Sequence, residues 1–402
     1  MNLLVVLPAY EPAWAFGGVV RCMSTLCRAL TALGHRVTVY TIDTDGLGAP
    51  VPVPGEAPLD LGGVHTYYFP ATLGAGCVWD SRALVRTLSQ TVTQFQVVYL
   101  AAIWQWLGPA VAACCRRHRV PLVAGVHGSL DRILLRRSRW RKRLFWHTFL
   151  HRALRRAAAL HLTTAHERRE TQALLSGFPS FVVPNPVDDD YFRPLEGGRN
   201  EFRQRHRLPA AAPVVVSVGR PDPKKRGDML IRGLASHPDL YLLMVGPTQG
   251  EVCRNWQNLA GELNVADRIV WTGFLQGDEL VRAYAAADLF ALISEDENFG
   301  NVVVEAMACG LPVLVTRRVG VWDEIKAAAV GLAVAPHGAE VDRALGEFLQ
   351  NRPLWAAWGK NGRGLARERY APHRVATVIA QALGDVLTGS RSAACRWQEG
   401  SP

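Results

Sequence analysis

The sequence predicts an α/β protein of two doubly wound domains, each a largely parallel sheet covered by helices, facing a central cleft. Three observations predict it. At 402 residues the chain exceeds what one hydrophobic core ordinarily supports. Short apolar runs alternate with amphipathic helical stretches in both halves, which is the βαβ rhythm. Residues 184–213, rich in proline, glycine and charge, interrupt that rhythm and read as a linker with one short helix. The composition, 49% hydrophobic and 20% charged, is that of an ordinary globular chain.

In the first half, strands are expected at residues 3–9 (LLVVLPA), 36–42 (RVTVYTI), 64–69 (VHTYYF), 96–102 (QVVYLAA), 121–127 (PLVAGVH) and 158–164 (AALHLTT). In the second half they are expected at 214–219 (VVVSVG), 241–246 (YLLMVG), 268–273 (RIVWTG), 289–294 (LFALIS), 312–316 (PVLVT) and 331–335 (GLAVA). From about Ala339 the pattern is helical only, and a tail after Gly389 reads as disordered. The division this suggests is 1–190, 191–375, and 376–402 as a C-terminal helix returning to the first domain plus the tail. In doubly wound sheets ligands meet the carboxyl ends of the strands, so the candidate residues are those just after strands.

Gly17-Gly18 follows the first strand and opens a helix, which suits phosphate or close ligand approach. A simple loop is the alternative, and G-x-G-x-x-G is absent. His127 closes a buried strand in GVHGS, where it faces the expected cleft or serves as a satisfied structural histidine. Arg220 and Lys225, in VGRPDPKKRGDML, stand at the mouth of the second sheet, where two cations can clamp a diphosphate and neutralise charge as it leaves. Their neighbours Lys224 and Arg226 read as solvated, and no G-x-x-x-x-G-K supports a P-loop.

Residues 293–313, ISEDENFGNVVVEAMACGLPV, combine a strand end, a glycine turn and a helix from about Gly300 to Cys309. The first amides of such a helix have no intrahelical partner and its dipole is positive there, so Phe299, Gly300 and Asn301 mark an anion site. Glu297 and Glu305 flank it, about 12 Å apart on a helical rise. A glycosidase pair stands at roughly 5 to 9.5 Å, so these carboxylates suit hydroxyls at the two ends of a longer ligand, such as a sugar, a diphosphate and a ribose in series.

The eight cysteines form no C-x-x-C, which argues against structural zinc and for reduced, mostly buried thiols. Asp188, Asp189 and Asp190 read as a solvated acidic turn, and no essential metal is expected. Net charge is +10, and residues 132–156 alone carry ten Lys or Arg and no acid. Trp140, Leu144, Phe145 and Phe149 recur there at helical spacing. That makes either a basic amphipathic helix for anionic lipid, with Arg136, Arg137, Trp140, Arg141, Lys142 and Arg143 facing the membrane, or a solvated face whose apolar stripe packs on its own domain. No nucleic-acid module accompanies the charge. With no apolar run of spanning length and no leader in MNLLVVLPAY, a cytoplasmic chain, peripheral on the inner membrane face, is expected.

Together these segments resemble the retaining GT-B glycosyltransferases of family 4, particularly bacterial members that build exopolysaccharide, capsule or O-antigen. The resemblance runs from the glycine pair to about residue 375. It rests on FGGVVR (16–21), GHRVTVYT (34–41), VHGSLD (126–131), TTAHE (163–167), VPNPVDDDYFRP (183–194), GRPDPKKRGD (219–228) and ENFGNVVVE (297–305) followed by AMACGLPV, in that order. It implies two Rossmann-like domains and transfer of a hexose, with retention and without metal or cofactor, from a UDP- or GDP-sugar to a lipid-linked saccharide.

It also implies roles: Arg220 and Lys225 on the diphosphate, Glu297 on the sugar, Glu305 on the ribose, His127 near the reacting carbon, and Gly17-Gly18 beside the phosphate. Pro186, Arg226 and Asn298 stand where many members have glycine. A catalytically idle scaffold module, a nucleotide-sugar epimerase or a phosphorylase would keep the fold; loss of Arg220, Lys225 or the glutamates would favour the scaffold, and all are present.

Overall fold

The computed structural model describes residues 1–45, 51, 57–75, 78–101, 103–104, 106–130, 144–193, 195 and 197–389. The chain forms two compact units: Met1–Pro186 together with the polypeptide from Pro372 onward, and Val187–Ala371.

In the first unit the strands are β1 Asn2–Val6, β2 Arg36–Ile42, β3 Leu59–Asp60, β4 His65–Phe69, β7 Val97–Ala101, β8 Leu122–Gly125, β9 Ala159–Leu162 and β10 Ser180–Val182. A separate hairpin is made by β5 Leu73–Ala75 and β6 Val78–Asp80. The sheet order is β10-β9-β8-β7-β1-β2-β4-β3, parallel except for the short β3. Side chains of a strand alternate between faces, and β1 shows it. Leu3 and Val5 join the core beneath the helices Gly18–Ala32 and Pro372–Thr388, while Leu4 and Val6 join the core beneath Arg82–Thr91 and Leu107–His118. The C-terminal helix thus covers one face of the first sheet, through Val375, Ala376, Ile379, Ala382 and Leu383 at helical spacing.

In the second unit β11 Val214–Val218, β12 Tyr241–Val245, β13 Ile269–Gly273, β14 Leu289–Leu292, β15 Val313–Thr316 and β16 Gly331–Val334 are all parallel. Their order is β13-β12-β11-β14-β15-β16. The winding direction therefore reverses between β11 and β14, and the crevice at their carboxyl ends is where such sheets bind ligands.

The twelve expected strands are all present, most of them shorter by a residue or more at one end. β1 stops at Val6 because Pro8 has no N–H to continue the ladder. The two-residue β3, the hairpin and the three-residue β10 carry too few side chains to show a period. Residues 184–213 are not a linker beyond the first few. Val187, Tyr191, Phe202 and Leu208 lie in the second unit's core. Arg203, buried in the helix Gly198–Arg205, donates to the carbonyls of Ala286, Pro209, Ala210 and Ala212 and to Asp288. Charge misled the pattern here, because a guanidinium with an acceptor at each of its three nitrogens is tolerated inside.

Among the described residues no helix is long and apolar enough to cross a membrane. Cys22, Cys27, Cys114, Cys115 and Cys253 are free and buried and Cys309 is half-buried; Cys77 and Cys395 lie outside the described residues.

Candidate functional site

β11 ends at Val218, and the chain turns at Gly219 with φ 137°. A Cβ at Gly219 would collide with the Lys225 Nζ, so the ammonium rests against this bare backbone. The loop that carries Lys225 is held from three sides. Asp222 accepts from the Lys224 amide at 3.0 Å. The Lys224 carbonyl accepts from the Glu295 amide at 2.7 Å and the Ser294 hydroxyl at 3.2 Å, tying the loop after β11 to the loop after β14. Arg226, at φ 48°, donates to both oxygens of Asp228 at 3.0 Å and to Glu295 at 2.6 Å. Arg226 is therefore a fastener rather than a merely solvated neighbour, whereas Lys224 fastens the loop through its backbone. A positive φ at Arg226 is the physical reason a glycine would also serve there.

Arg220 and Lys225 differ from Arg226: among the described residues neither side chain has an ion-pair or hydrogen-bond partner. Burial pulls the Lys225 ammonium below its usual range; the nearby Glu297 carboxylate opposes that, and Lys224 and Arg220 add to it. The structure thus brings Arg220 and Glu297 each within electrostatic reach of Lys225 at the switch point of the second sheet.

Glu297 is clasped by its backbone, its amide donating to the Arg318 carbonyl at 3.0 Å and its carbonyl accepting from Gly320 at 2.8 Å. Its Oε2 is buried with no hydrogen-bond partner among the described residues. Three residues on, Gly300 has φ 85°, and a Cβ there would lie 2.9 Å from Val319 Cγ1, so both backbone and space require glycine. The helix Asn301–Ala308 opens directly after Gly300, which has no side chain to cap it, and the Val303 amide donates to the Gly300 carbonyl at 2.8 Å. Phe299 is a core residue, its ring edge-on to Tyr370 at 5.8 Å, so only its backbone is available. Glu305 is 8% exposed and accepts from the Tyr284 hydroxyl at 2.9 Å. Tyr284, which fixes that carboxylate, carried no signal in the sequence beyond its place in a helical apolar stripe.

In the first unit, Gly17 (φ 85°) precedes the helix Gly18–Ala32, and a Cβ at Gly17 would meet nothing within 4 Å. His127 follows β8 at φ 45°, unusual for a residue with a side chain. Its turn is pinned by the buried Glu167, whose carboxylate accepts from the amides of Gly128 (2.5 Å) and Thr163 (2.6 Å), and by the Trp104 indole donating to the Ser129 carbonyl. The His127 Nε2 lies 3.1 Å from the Tyr99 hydroxyl, which lies 2.6 Å from the His161 Nδ1; the His127 Nδ1 is buried and unpartnered among the described residues. Neither Tyr99 nor His161 was legible as functional, since both sit inside apolar strands.

Among the described residues no three His, Cys, Asp or Glu are grouped to hold a metal ion. Asp188 caps a short helical turn by accepting from the Asp190 amide at 3.1 Å, and Asp190 pairs with Arg193 at 3.3 Å. Arg136, Arg137, Trp140, Arg141, Lys142 and Arg143 lie outside the described residues. Just beyond them the helical residues 144–154 pack Trp146, Leu150 and Leu154 inward, one position on from the expected stripe. Leu144 (57% exposed), Phe149 (49%) and Trp106 (53%) remain in solvent, with the Trp106 ring 5.1 Å from Phe145 and 6.3 Å from Phe149.

Residues 16–191 match the Glycosyltransferase Family 4 model, and residues 198–365 match Glycosyl transferases group 1. Over 186 residues, 45% of this chain and 42% of the relative, the sequence is 36% identical to a D-inositol 3-phosphate glycosyltransferase of Mycolicibacterium gilvum. Over 225 residues, 52% of this chain and 56% of the relative, it is 33% identical to a GDP-mannose-dependent alpha-(1-6)-phosphatidylinositol monomannoside mannosyltransferase of Mycolicibacterium smegmatis. The chain spans about half the length of these relatives. In fold it is similar to Anabaena HepE in complex with UDP, with a TM-score of 0.78 at 20% identity, covering 96% of this chain and 100% of that one.

Proposed function

Because the chain joins a Glycosyltransferase Family 4 domain to a Glycosyl transferases group 1 domain, we propose that it moves a hexose from a nucleotide-diphosphate sugar to an acceptor. The transfer proceeds with retention and without metal or cofactor. One observation carries the reading: at the switch point of the second sheet a half-buried ammonium and a guanidinium make no ion pair or hydrogen bond among the described residues, beside a carboxylate whose buried oxygen has no donor there. A diphosphate supplies the missing anion and a sugar hydroxyl the missing donor. Lys225 and Arg220 hold the diphosphate and stabilise charge on it as the bond to the sugar breaks, with the first amides of the helix Asn301–Ala308 assisting. Glu297 binds the sugar, Glu305 the ribose, His127 the sugar near the reacting carbon, and Gly17-Gly18 lies at the phosphate. A site of this kind works by positioning and electrostatics and needs no protein nucleophile.

The acceptor is a lipid-linked saccharide of surface-polysaccharide or glycolipid synthesis, a reading supported by the phosphatidylinositol-borne acceptor in the name of the second relative. The exposed Trp106, Leu144 and Phe149 beside the basic segment suit an anionic membrane surface.

A panel of UDP-, GDP- and ADP-sugars, scored by thermal stabilisation and by hydrolysis, tests the donor. A true donor at about 100 times its Kd stabilises by about 2.7 kcal/mol, roughly 5 °C or more for units of this size. Lys225→Ala is expected to melt like the parent and to lose turnover by about 10²–10³-fold. A panel in which no nucleotide sugar stabilises the protein refutes the reading, and near-normal turnover in the variant refutes the role of Lys225.

A further inference from the structure

Three neighbouring strands place Tyr99 on β7, Gly125 on β8 and His161 on β9, in the sheet order β9-β8-β7. Gly125 pairs in register with His161 on one side and Ala101 on the other, so Tyr99, two residues before Ala101, points to the same face. A Cβ at Gly125 would lie 2.5 Å from both the Tyr99 hydroxyl and the His127 Nε2. The missing side chain is therefore what lets the phenol reach across β8 and lets the His127 ring fold back onto it.

The hydrogen-bond roles in this group follow from one fixed end. The Val183 carbonyl, 2.8 Å from the His161 Nε2, can only accept, so that nitrogen carries the proton. Burial holds both rings neutral, pushing His161 down to about 4 and His127 to about 3. The His161 Nδ1 is then an acceptor, and the Tyr99 hydroxyl must donate to it at 2.6 Å. Its only proton spent, the Tyr99 oxygen accepts from the His127 Nε2 at 3.1 Å. That leaves the His127 Nδ1 bare, shielded from bulk water and without a partner among the described residues, although the ring itself is part-exposed. A buried acceptor of this kind is costly unless a donor arrives.

We propose that Tyr99 and His161 are positioning residues that hold His127 as its Nε2–H tautomer, so that the Nδ1 lone pair is presented to a hydroxyl of the bound sugar. The hydroxyl half of this rests on the proposed function; the tautomer half does not. Gly125 is part of the same device, since alanine there would displace the phenol, the imidazole or both.

Selective ¹⁵N labelling of histidine, with His127 assigned through His127→Asn, reads the protonation of each ring nitrogen directly. In the unligated protein near neutral pH the expected pattern is a protonated Nε2 and a bare Nδ1, with the Nδ1 resonance shifting when a UDP- or GDP-sugar binds. Tyr99→Phe is expected to redistribute the His127 tautomers and to lower kcat/KM for the donor about tenfold, the effect of one lost hydrogen bond. Should that variant fail to fold, His161→Gln, which can still donate to Val183 and accept from Tyr99, is expected to keep the parental His127 pattern, while His161→Leu loses it. A protonated Nδ1 in the parent, or an unchanged tautomer in Tyr99→Phe or His161→Leu, overturns the inference whatever the activity. An Nδ1 resonance indifferent to a sugar nucleotide that does bind overturns the hydroxyl contact alone.

Discussion

Two neutral histidines bonded to one buried tyrosine make the protein sensitive to acid at the level of single rings. Burial lowers both from the usual 6.5; His161 adds to the effect on His127, while the bond to Val183 opposes it at His161. As pH falls below about 6.5 the unfolded chain protonates these rings and the folded chain does not, until its own depressed values are reached. The unfolded state then binds more protons, so stability is full above that pH and falls as pH drops through the window between 6.5 and the folded values. Each ring contributes a slope of up to about 1.4 kcal/mol per pH unit. Urea titrations at pH 7 and pH 5 are therefore expected to show a smaller acid loss in His161→Gln than in the parent, by up to about 2 kcal/mol. Equal losses would mean that His161 is not held neutral.

A helix of eight residues, Asn301–Ala308, gains its functional end from the turn before it rather than from its own sequence. Gly300 meets two conditions at once, a left-handed backbone and the absence of a side chain against Val319. Gly300→Ala is expected to destabilise the second unit by about 1–3 kcal/mol and to weaken donor binding by more than tenfold, read by urea unfolding and by titration with the donor. Gly261→Ala provides the contrast: it lies in the helix Glu251–Glu262 with open space around it, and alanine there should stabilise by up to about 1 kcal/mol. Equal responses at the two positions would show that Gly300 answers only to general helix or loop propensity. The clasp between Lys224 and Glu295 works at the same scale, since it registers a loop after one strand against a loop after another.

For the molecule as a whole, charge is the property with the largest consequence. The net charge of +10 resides in one segment, and Trp106, Leu144 and Phe149 are in solvent there. Each Lys or Arg near an anionic surface contributes about 1 kcal/mol, so replacing Arg141, Lys142 and Arg143 with glutamate should weaken co-sedimentation with phosphatidylserine vesicles by about 100-fold or more. Trp106→Ala should weaken it at constant charge. Sedimentation unchanged by both substitutions would remove the membrane from the account. The fold at this scale also depends on the chain's far end, since the helix Pro372–Thr388 completes the core of the first unit.

Read along the chain, apolar runs of four to seven residues announced every long strand, because a parallel strand covered on both faces must be continuously hydrophobic. The order of motifs announced the family resemblance, and glycine and proline announced the helix at Asn301–Ala308, since caps and turns are local chemistry. Arg203 defeated the same reasoning, as a charge looks exposed until its partners are known. Arg226 against Lys225 could be told apart only by which carboxylates the fold delivered to each. The pairing of Tyr99 with His161, 62 residues apart, was decided wholly by tertiary structure. Local sequence sets backbone preference and burial. Which donor meets which acceptor depends on strand order and on one glycine between two strands, neither of which any short window contains.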